Sequence, residues 1–435
     1  MLNRVLILSA SSGVGHIRAA QALEKAWLSS GAAKEIRHED ALKYCSPVIR
    51  NVYSRGYIDM VNHVPSVLGL LYEAADRPWK DEGQRLAFDR LHTLPLAKMI
   101  SNYAPDLIIC THFLPAEICS WLLCKRKISA RHAIVVTDFD MHAMWLCRHF
   151  DEYFVALDET REHLRCLGVF NERVTVSGIP VDPVFSINKN KKEMQQKYGL
   201  RTDRPTILLS AGGHGVGPVE ELLGSLQNLK HSAQVIALCG RNRDLKERLD
   251  EEAAQMDSSS HLLIKPVAFT DQIDEYMAAS DIMLGKPGGL TSSEALARGL
   301  VLAIVNPIPG QEERNSDHLL EQGVAIRCNN LPTLPFKLDQ LLADPARFAE
   351  MQKKARNLGK GDSAQKVVQK LVETESCPTV NYTGASHRCR HPLLTLTRPA
   401  RIAVARKNPL KGKAVARLFG KTFPNYLRLK NFERN

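Results

Sequence analysis

Two doubly wound, Rossmann-like α/β domains facing each other across a cleft are expected from this 435-residue chain on three grounds. Short apolar runs alternate with helical patterns, and the alternation runs through twice, with a polar stretch between the two series. Glycine turns follow directly on apolar runs in both halves, as in folds that place ligands at the carboxyl ends of parallel strands. The length exceeds one typical domain, and 44% hydrophobic with 24% charged residues is enough for a sizeable core.

The first series opens with the strand "RVLILS" at 4–9. A helix follows, with Ala19, Ala22, Leu23 and Ala26 at i, i+3, i+4 and i+7. "PDLIICTH" (105–112), "HAIVVTDF" (132–139), "EYFVAL" (152–157) and "RVTVSGIPV" (173–181) are continuous apolar runs, as parallel strands buried on both faces require. Residues 186–205, polar and basic, read as the interdomain linker. "TILLSAGG", "AQVIALCG", "LLIKPV", "DIMLGKPGG" and "LVLAIVNP" then repeat the pattern. The expected domains are 1–185, 186–376 and a tail, 377–435. The stretch 48–79 breaks the rhythm, and two readings stand level for it: a membrane-touching amphipathic segment, or a helix pair packed on the first domain.

The net charge of +11 is unevenly placed. The tail holds thirteen Lys and Arg against the single acid Glu433, and taking that +12 from the whole leaves the body at −1. A near-neutral body speaks against an extended basic groove, so no nucleic acid is expected as a partner. The tail suits an anionic lipid surface, or is a solvated, disordered arm. A protein binding nucleic acid through its tail is the competing reading from a different class. No apolar run approaches the ~20 residues of a membrane span, and no secretory leader is evident, so the expected place is cytoplasmic, peripheral on the inner face of the membrane. The ten cysteines read as buried reduced thiols, and the cluster of Cys and His at 377–391 fits no zinc spacing.

Three glycine turns remain. "GVGHIR" at 13–18 has Arg18 where a dinucleotide fingerprint needs its third glycine, and it lacks the Gly-Lys-Ser/Thr end of an NTPase loop. It places His16 where a helix begins, as a helix-start residue or as a catalytic group. "SAGGHGVG" at 210–217 brings Gly212 and Gly213 to a loop whose N–H groups can face an anion. In "GKPGGLTSSEAL", Gly288, Gly289 and Thr291 open a helix suited to a phosphate, and Glu294 can accept both hydroxyls of a ribose. Gln311 and Glu312 pair an amide with a carboxylate, which suits sugar hydroxyls.

With "GVGH", "PDLIICTH", "VTDFDMHAMW" (136–145), "SGIPVDPVF" (177–185) and the block "KPGGLTSSEAL…PIPGQEERN" (286–315), the first 375 residues or so resemble the monogalactosyldiacylglycerol synthase family, above all its bacterial processive diacylglycerol glucosyltransferases. The second half resembles, more distantly, the N-acetylglucosamine transferase of the peptidoglycan lipid intermediate. The resemblance implies a GT-B glycosyltransferase of the family 28 kind, with a lipid-acceptor domain first and a UDP-hexose domain second. It implies His16 as the catalytic residue, Glu294 on the ribose, and Gln311 with Glu312 on the sugar. Gly212 and Gly213 would lie near the diphosphate, and Val267 and Phe269 of "PVAF" where uracil is held by the backbone. Asp138 and His142 would stand on the acceptor side, lining the cleft, fixing its loops or assisting His16. Val14 interrupts the denser glycine run of the plant enzymes.

The implied reaction is a single inverting displacement, with diacylglycerol's hydroxyl attacking the anomeric carbon and UDP leaving. A neutral His16 at a helix N-terminus would be the base, and backbone N–H groups would take the diphosphate charge. No cofactor and no metal are expected, although "DFD" at 138–140 looks like the metal signature of the other large glycosyltransferase fold; it follows a strand of the first domain, away from the nucleotide elements. A polyprenyl-phosphate lipid or a small aglycone is the alternative acceptor.

Overall fold

The computed structural model describes residues 1–79, 86, 89–210, 219–257, 259–374 and 380–381. The first domain is built on strands β1 (Leu2–Ser9), β2 (Ala33–Asp40), β3 (Leu107–Cys110), β4 (Arg131–Val135), β6 (Glu152–Val155) and β7 (Val174–Val176). They form one parallel sheet in the order β2-β1-β3-β4-β6-β7, and a short β5 (His149–Phe150) pairs outside it with β14 (Val380–Asn381). The second domain repeats the design with β8 (Thr206–Ser210), β9 (Ala233–Gly240), β10 (Leu262–Ala268), β11 (Ile282–Gly285), β12 (Val301–Val305) and β13 (Ala325–Cys328), in the order β10-β9-β8-β11-β12-β13.

The central strands are buried on both faces because helices cover both, and this is why they read as unbroken apolar runs: Val5 to Leu8, Leu107 to Cys110 and Ile282 to Leu284 have at most 3% exposure. In each sheet the strand order reverses beside the first strand, between β1 and β3 and between β8 and β11. The turns after β1 and β11 therefore open at the two switch points, where a crevice forms. The polar linker contains a short helix, Lys191–Lys197, capped by the Asn190 side chain.

The expected donor domain, 186–376, includes one helix that belongs to the other core. In Ser363–Glu373 the apolar face of Ala364, Val367, Val368 and Leu371 packs with Val5, Ile7 and Trp27 of the first domain. A second shared core joins Phe139, Ile179 and Val181 to Leu290 and Leu296. The stretch 48–79 forms short helices, the last being Pro65–Ala75, which has no fully buried residue. Among the described residues no helix is long and apolar enough to cross a membrane. Nearly all of the basic tail lies outside the described residues.

Candidate active site

The buried strand β1 delivers the chain to the cleft. There Gly13, in extended conformation, caps helix α1 (Val14–Ser30), and His16 falls in its first turn. His16 Nδ1 lies 2.9 Å from the Thr111 carbonyl oxygen and 2.8 Å from Thr137 Oγ1. A carbonyl oxygen only accepts, so this network assigns the proton to Nδ1 and leaves the lone pair on Nε2. No described residue bonds Nε2. Thr111 Oγ1 donates back to the His16 carbonyl at 2.9 Å, so the end of β3 grips the first turn of α1. The His112 ring stands edge-on to that of His16 at 4.7 Å, with Trp145 at 6.4 Å. The residue keeps some exposed surface, but burial of its ring pulls the pKa down to about 4, against the opposing pull of the Thr111 carbonyl. The positive end of α1 acts in the same sense as burial. His16 is therefore a neutral imidazole at physiological pH, able to accept a proton at Nε2.

The facing wall belongs to the second domain. A helix, Gly289–Ala297, starts just beyond β11, with Gly288 as its extended cap. A side chain at Gly289 would overlap the Thr137 carbonyl oxygen and come within 3.1 Å of Ile179 Cδ1, so only glycine fits. A Cβ on Gly15 would lie 3.8 Å from Leu290 Cβ. Two helix N-termini thus converge on the same space, one bearing His16 and the other free backbone N–H groups. Thr291 is half-buried in this first turn.

Glu294 is 1% exposed. Its Oε1 accepts from Arg18 of α1 at 2.5 Å, and its Oε2 is buried with no hydrogen-bond partner among the described residues. Burial lifts its pKa to about 7; Arg18 works against this, and Asp182 and Asp274 with it. Glu312 Oε2 accepts from the Ile308 N–H at 2.7 Å, and its Oε1 is 3.9 Å from where a Cβ on Gly288 would stand. Burial raises its pKa while Lys286 opposes. The Gln311 amide donates to Asp138, which burial pushes up to about 7 against the hydrogen bond from Gln311. Gln311 is thus tied to the first domain and Glu312 to the backbone of its own loop.

The two carboxylates of "DFD" point to partners in the second domain. Asp138 meets Gln311, and Asp140 meets Arg314 at 2.9 Å. Arg314 also binds Asp76 at 2.7 Å, so it spans two acids. His142 Nδ1 accepts from the Met144 N–H at 3.2 Å, and its Nε2–H donates to the Tyr72 carbonyl at 2.9 Å. Both ring nitrogens are therefore engaged with backbone, and His142 fixes the Pro65–Ala75 helix to its loop. Val267 is buried in β10, at an edge of the second sheet. Phe269 is 58% exposed beyond it, under the Arg241 guanidinium. Gly212 and Gly213 lie outside the described residues.

Sequence reasoning gave no role in the site to Thr111, Thr137 or Arg18. The threonines stood inside quoted motifs, "CTH" and "VTDF", but their bond to His16 joins residues 95 and 121 positions apart. A readable signal existed for the Gln311–Glu321 helix: Gln311 and Asn315 are four apart, on the face that meets the first domain.

Most of the chain is similar to known proteins. Residues 16–181 match the family model for monogalactosyldiacylglycerol (MGDG) synthase, and residues 207–371 that for the glycosyltransferase family 28 C-terminal domain. The processive diacylglycerol β-glucosyltransferase of Bacillus licheniformis is 28% identical over 370 residues, covering 85% of this chain and 94% of its own. The protein of that name from Bacillus pumilus is 29% identical over 384 residues, covering 88% and 98%. Among solved structures, MurG of Acinetobacter baumannii superposes with a TM-score of 0.56 at 16% identity, covering 86% of this chain and 100% of that one, a likeness of fold and specifically of the two-domain GT-B arrangement. The chain is a glycosyltransferase, made of a monogalactosyldiacylglycerol synthase domain joined to a family 28 C-terminal domain.

Proposed function

We propose that this protein transfers a hexose from a UDP-sugar to the hydroxyl of diacylglycerol, with inversion, to make a membrane glycolipid. The observation that carries the reading is His16: a neutral imidazole, its proton held on Nδ1, facing a helix N-terminus that only glycine allows to come so near. In this reading the lipid hydroxyl attacks the anomeric carbon as its proton passes to His16 Nε2. The bond to the UDP oxygen breaks, and UDP departs with the electron pair. The N–H groups at the start of Gly289–Ala297, with Thr291, receive the developing diphosphate charge, together with the 210–217 loop that carries Gly212 and Gly213. Glu294 holds the ribose through the oxygen that lacks a partner, and Gln311 with Glu312 reads the sugar. Val267 and Phe269 bound the uracil end. Asp138 and His142 keep the acceptor wall in register with the sugar loop. The displacement needs no cofactor, and no step of it is assigned to a metal.

Purified protein is given diacylglycerol vesicles and, separately, UDP-glucose, UDP-galactose or UDP-glucuronate, and UDP release is measured. The relatives' names put glucose first. Arg314 is already shared between Asp76 and Asp140, which disfavours an acidic sugar. Lipid-dependent release with a neutral hexose is expected. Release only with a polyprenyl phosphate or a small aglycone would replace diacylglycerol as acceptor and leave the rest standing.

The acceptor is a membrane lipid, so the protein must reach an interface. The Pro65–Ala75 helix packs Gly69 and Tyr72 on Pro309 and Gly310 and leaves Leu70 64% and Leu71 38% exposed. This apolar edge and the basic tail together would seat the protein on the inner face of the membrane. Each basic group near an anionic surface contributes about 1 kcal/mol. Deleting 377–435 is expected to weaken binding to anionic vesicles by roughly tenfold or more, with little change on neutral ones. Equal sedimentation of full-length and truncated protein with anionic vesicles would remove the tail from this role.

A further inference from the structure

Behind the strand end that holds His16 lies a cluster to which the displacement gives no task. Cys110, the last residue of β3, Cys119, in the helix Phe113–Cys124, and His132, in β4, are all fully buried, and their ligand atoms lie within 4.8 Å of one another. Ile108 pairs with His132 and Cys110 with Ile134, so Cys110 and His132 are diagonal neighbours on one face of the sheet, the face that Cys119 covers. His132 Nδ1 donates to the His149 carbonyl at 3.0 Å, which fixes the lone pair on Nε2. That Nε2 is completely buried and has no hydrogen-bond partner among the described residues. A backbone carbonyl on one ring nitrogen and a bare lone pair on the other, beside two sulfurs, is how a metal-ligating histidine is oriented.

We infer that Cys110, Cys119 and His132 form a structural binding site for a thiophilic d10 cation, zinc in the first instance, separate from the transferase chemistry. The donor set is soft, with two sulfurs and one imidazole, which selects zinc or cuprous ion over magnesium or calcium. On binding, each thiol loses a proton to solvent and becomes a thiolate. Two thiolates then balance the divalent charge beside a neutral imidazole, and a site without net charge suits an apolar core. Zinc–sulfur bonds of about 2.3 Å put two sulfurs roughly 3.8 Å apart, so small side-chain rotations suffice to gather these ligands. Cys147 is buried in the same cluster and its thiol acts on that of Cys110, so a third sulfur is at hand as a fourth ligand. The cation would tie β3, β4 and the covering helix together immediately before Thr111, whose carbonyl holds His16.

The test uses the full-length protein, expressed in zinc-supplemented medium and purified without chelators. Elemental analysis is expected to find about one zinc per chain, reduced several-fold in Cys119→Ser and in His132→Gln. Cobalt added to metal-stripped wild type is expected to give thiolate-to-cobalt charge-transfer bands with tetrahedral d–d absorption, a readout that needs neither variant to fold. Wild type that retains no zinc and shows no cobalt–thiolate bands overturns the assignment. So does zinc retained in full by both variants, or a thiol count in denatured protein that shows Cys110 and Cys119 joined as a disulfide.

Discussion

His16→Ala will lower the turnover of lipid-dependent UDP release by roughly 10²–10⁴-fold, the usual contribution of a positioned general base. The fall should appear in kcat far more than in KM for the UDP-sugar, because the expected donor contacts lie on the second domain and His16 serves the hydroxyl. The pH profile carries a second signature. A free histidine base would lose activity below about 6.5. Burial holds His16 near 4, and a base acts only while deprotonated, so the acid limb assigned to it should lie near 4 and activity should persist through pH 5 to 6. Thr137→Val removes one of the two oxygens at Nδ1 and should cost less than the alanine at 16, since the Thr111 carbonyl still fixes the tautomer. His16→Ala with kcat within about threefold of wild type would make His16 a helix-start residue and return the search for a base to Asp138.

Gly289→Ala is the second large effect. The added methyl would overlap the Thr137 carbonyl oxygen and crowd Ile179 Cδ1, and backbone cannot swing aside as a long side chain can. The helix start and the first domain must then separate by something near 1 Å, a misplacement that costs about 10²-fold at a reacting centre. Thr137 also bonds His16, so the strain falls on both walls at once. kcat/KM for the UDP-sugar is the quantity to measure, with thermal unfolding alongside to show that each domain still folds. Activity within about threefold of wild type would mean that the contact at Gly289 does not set the cleft.

Which residues were legible in the chain follows from how local their cause is. The buried strands are readable because a parallel strand covered on both faces is apolar at every position, as in "VLIL" and "LIIC". The glycine turns are readable because a helix start that meets another backbone tolerates no side chain, as Gly289 shows. These local demands are enough to mark two domains and the positions of His16 and Glu294. Resemblance to a family, carried by motifs from 13 to 315, supplied the chemistry those positions serve.

Contacts made across the chain were not legible. His16 owes its tautomer to Thr111 and Thr137, from two other strands, and Glu294 owes its cationic partner to α1, 276 residues away. The packing of the 48–79 stretch at the cleft likewise turned on Tyr72, whose ring lies against Gly310 and the Arg314 guanidinium. The sequence by itself determined the element types, the two-domain plan and the residue types at the cleft, because hydrophobic periodicity and backbone sterics act within a few residues. Tertiary structure alone decided which ring nitrogen holds a proton, which carboxylates burial pushes up, and which side chains bridge the domains. Burial and hydrogen bonding depend on every group within a few ångströms, whatever its place in the chain.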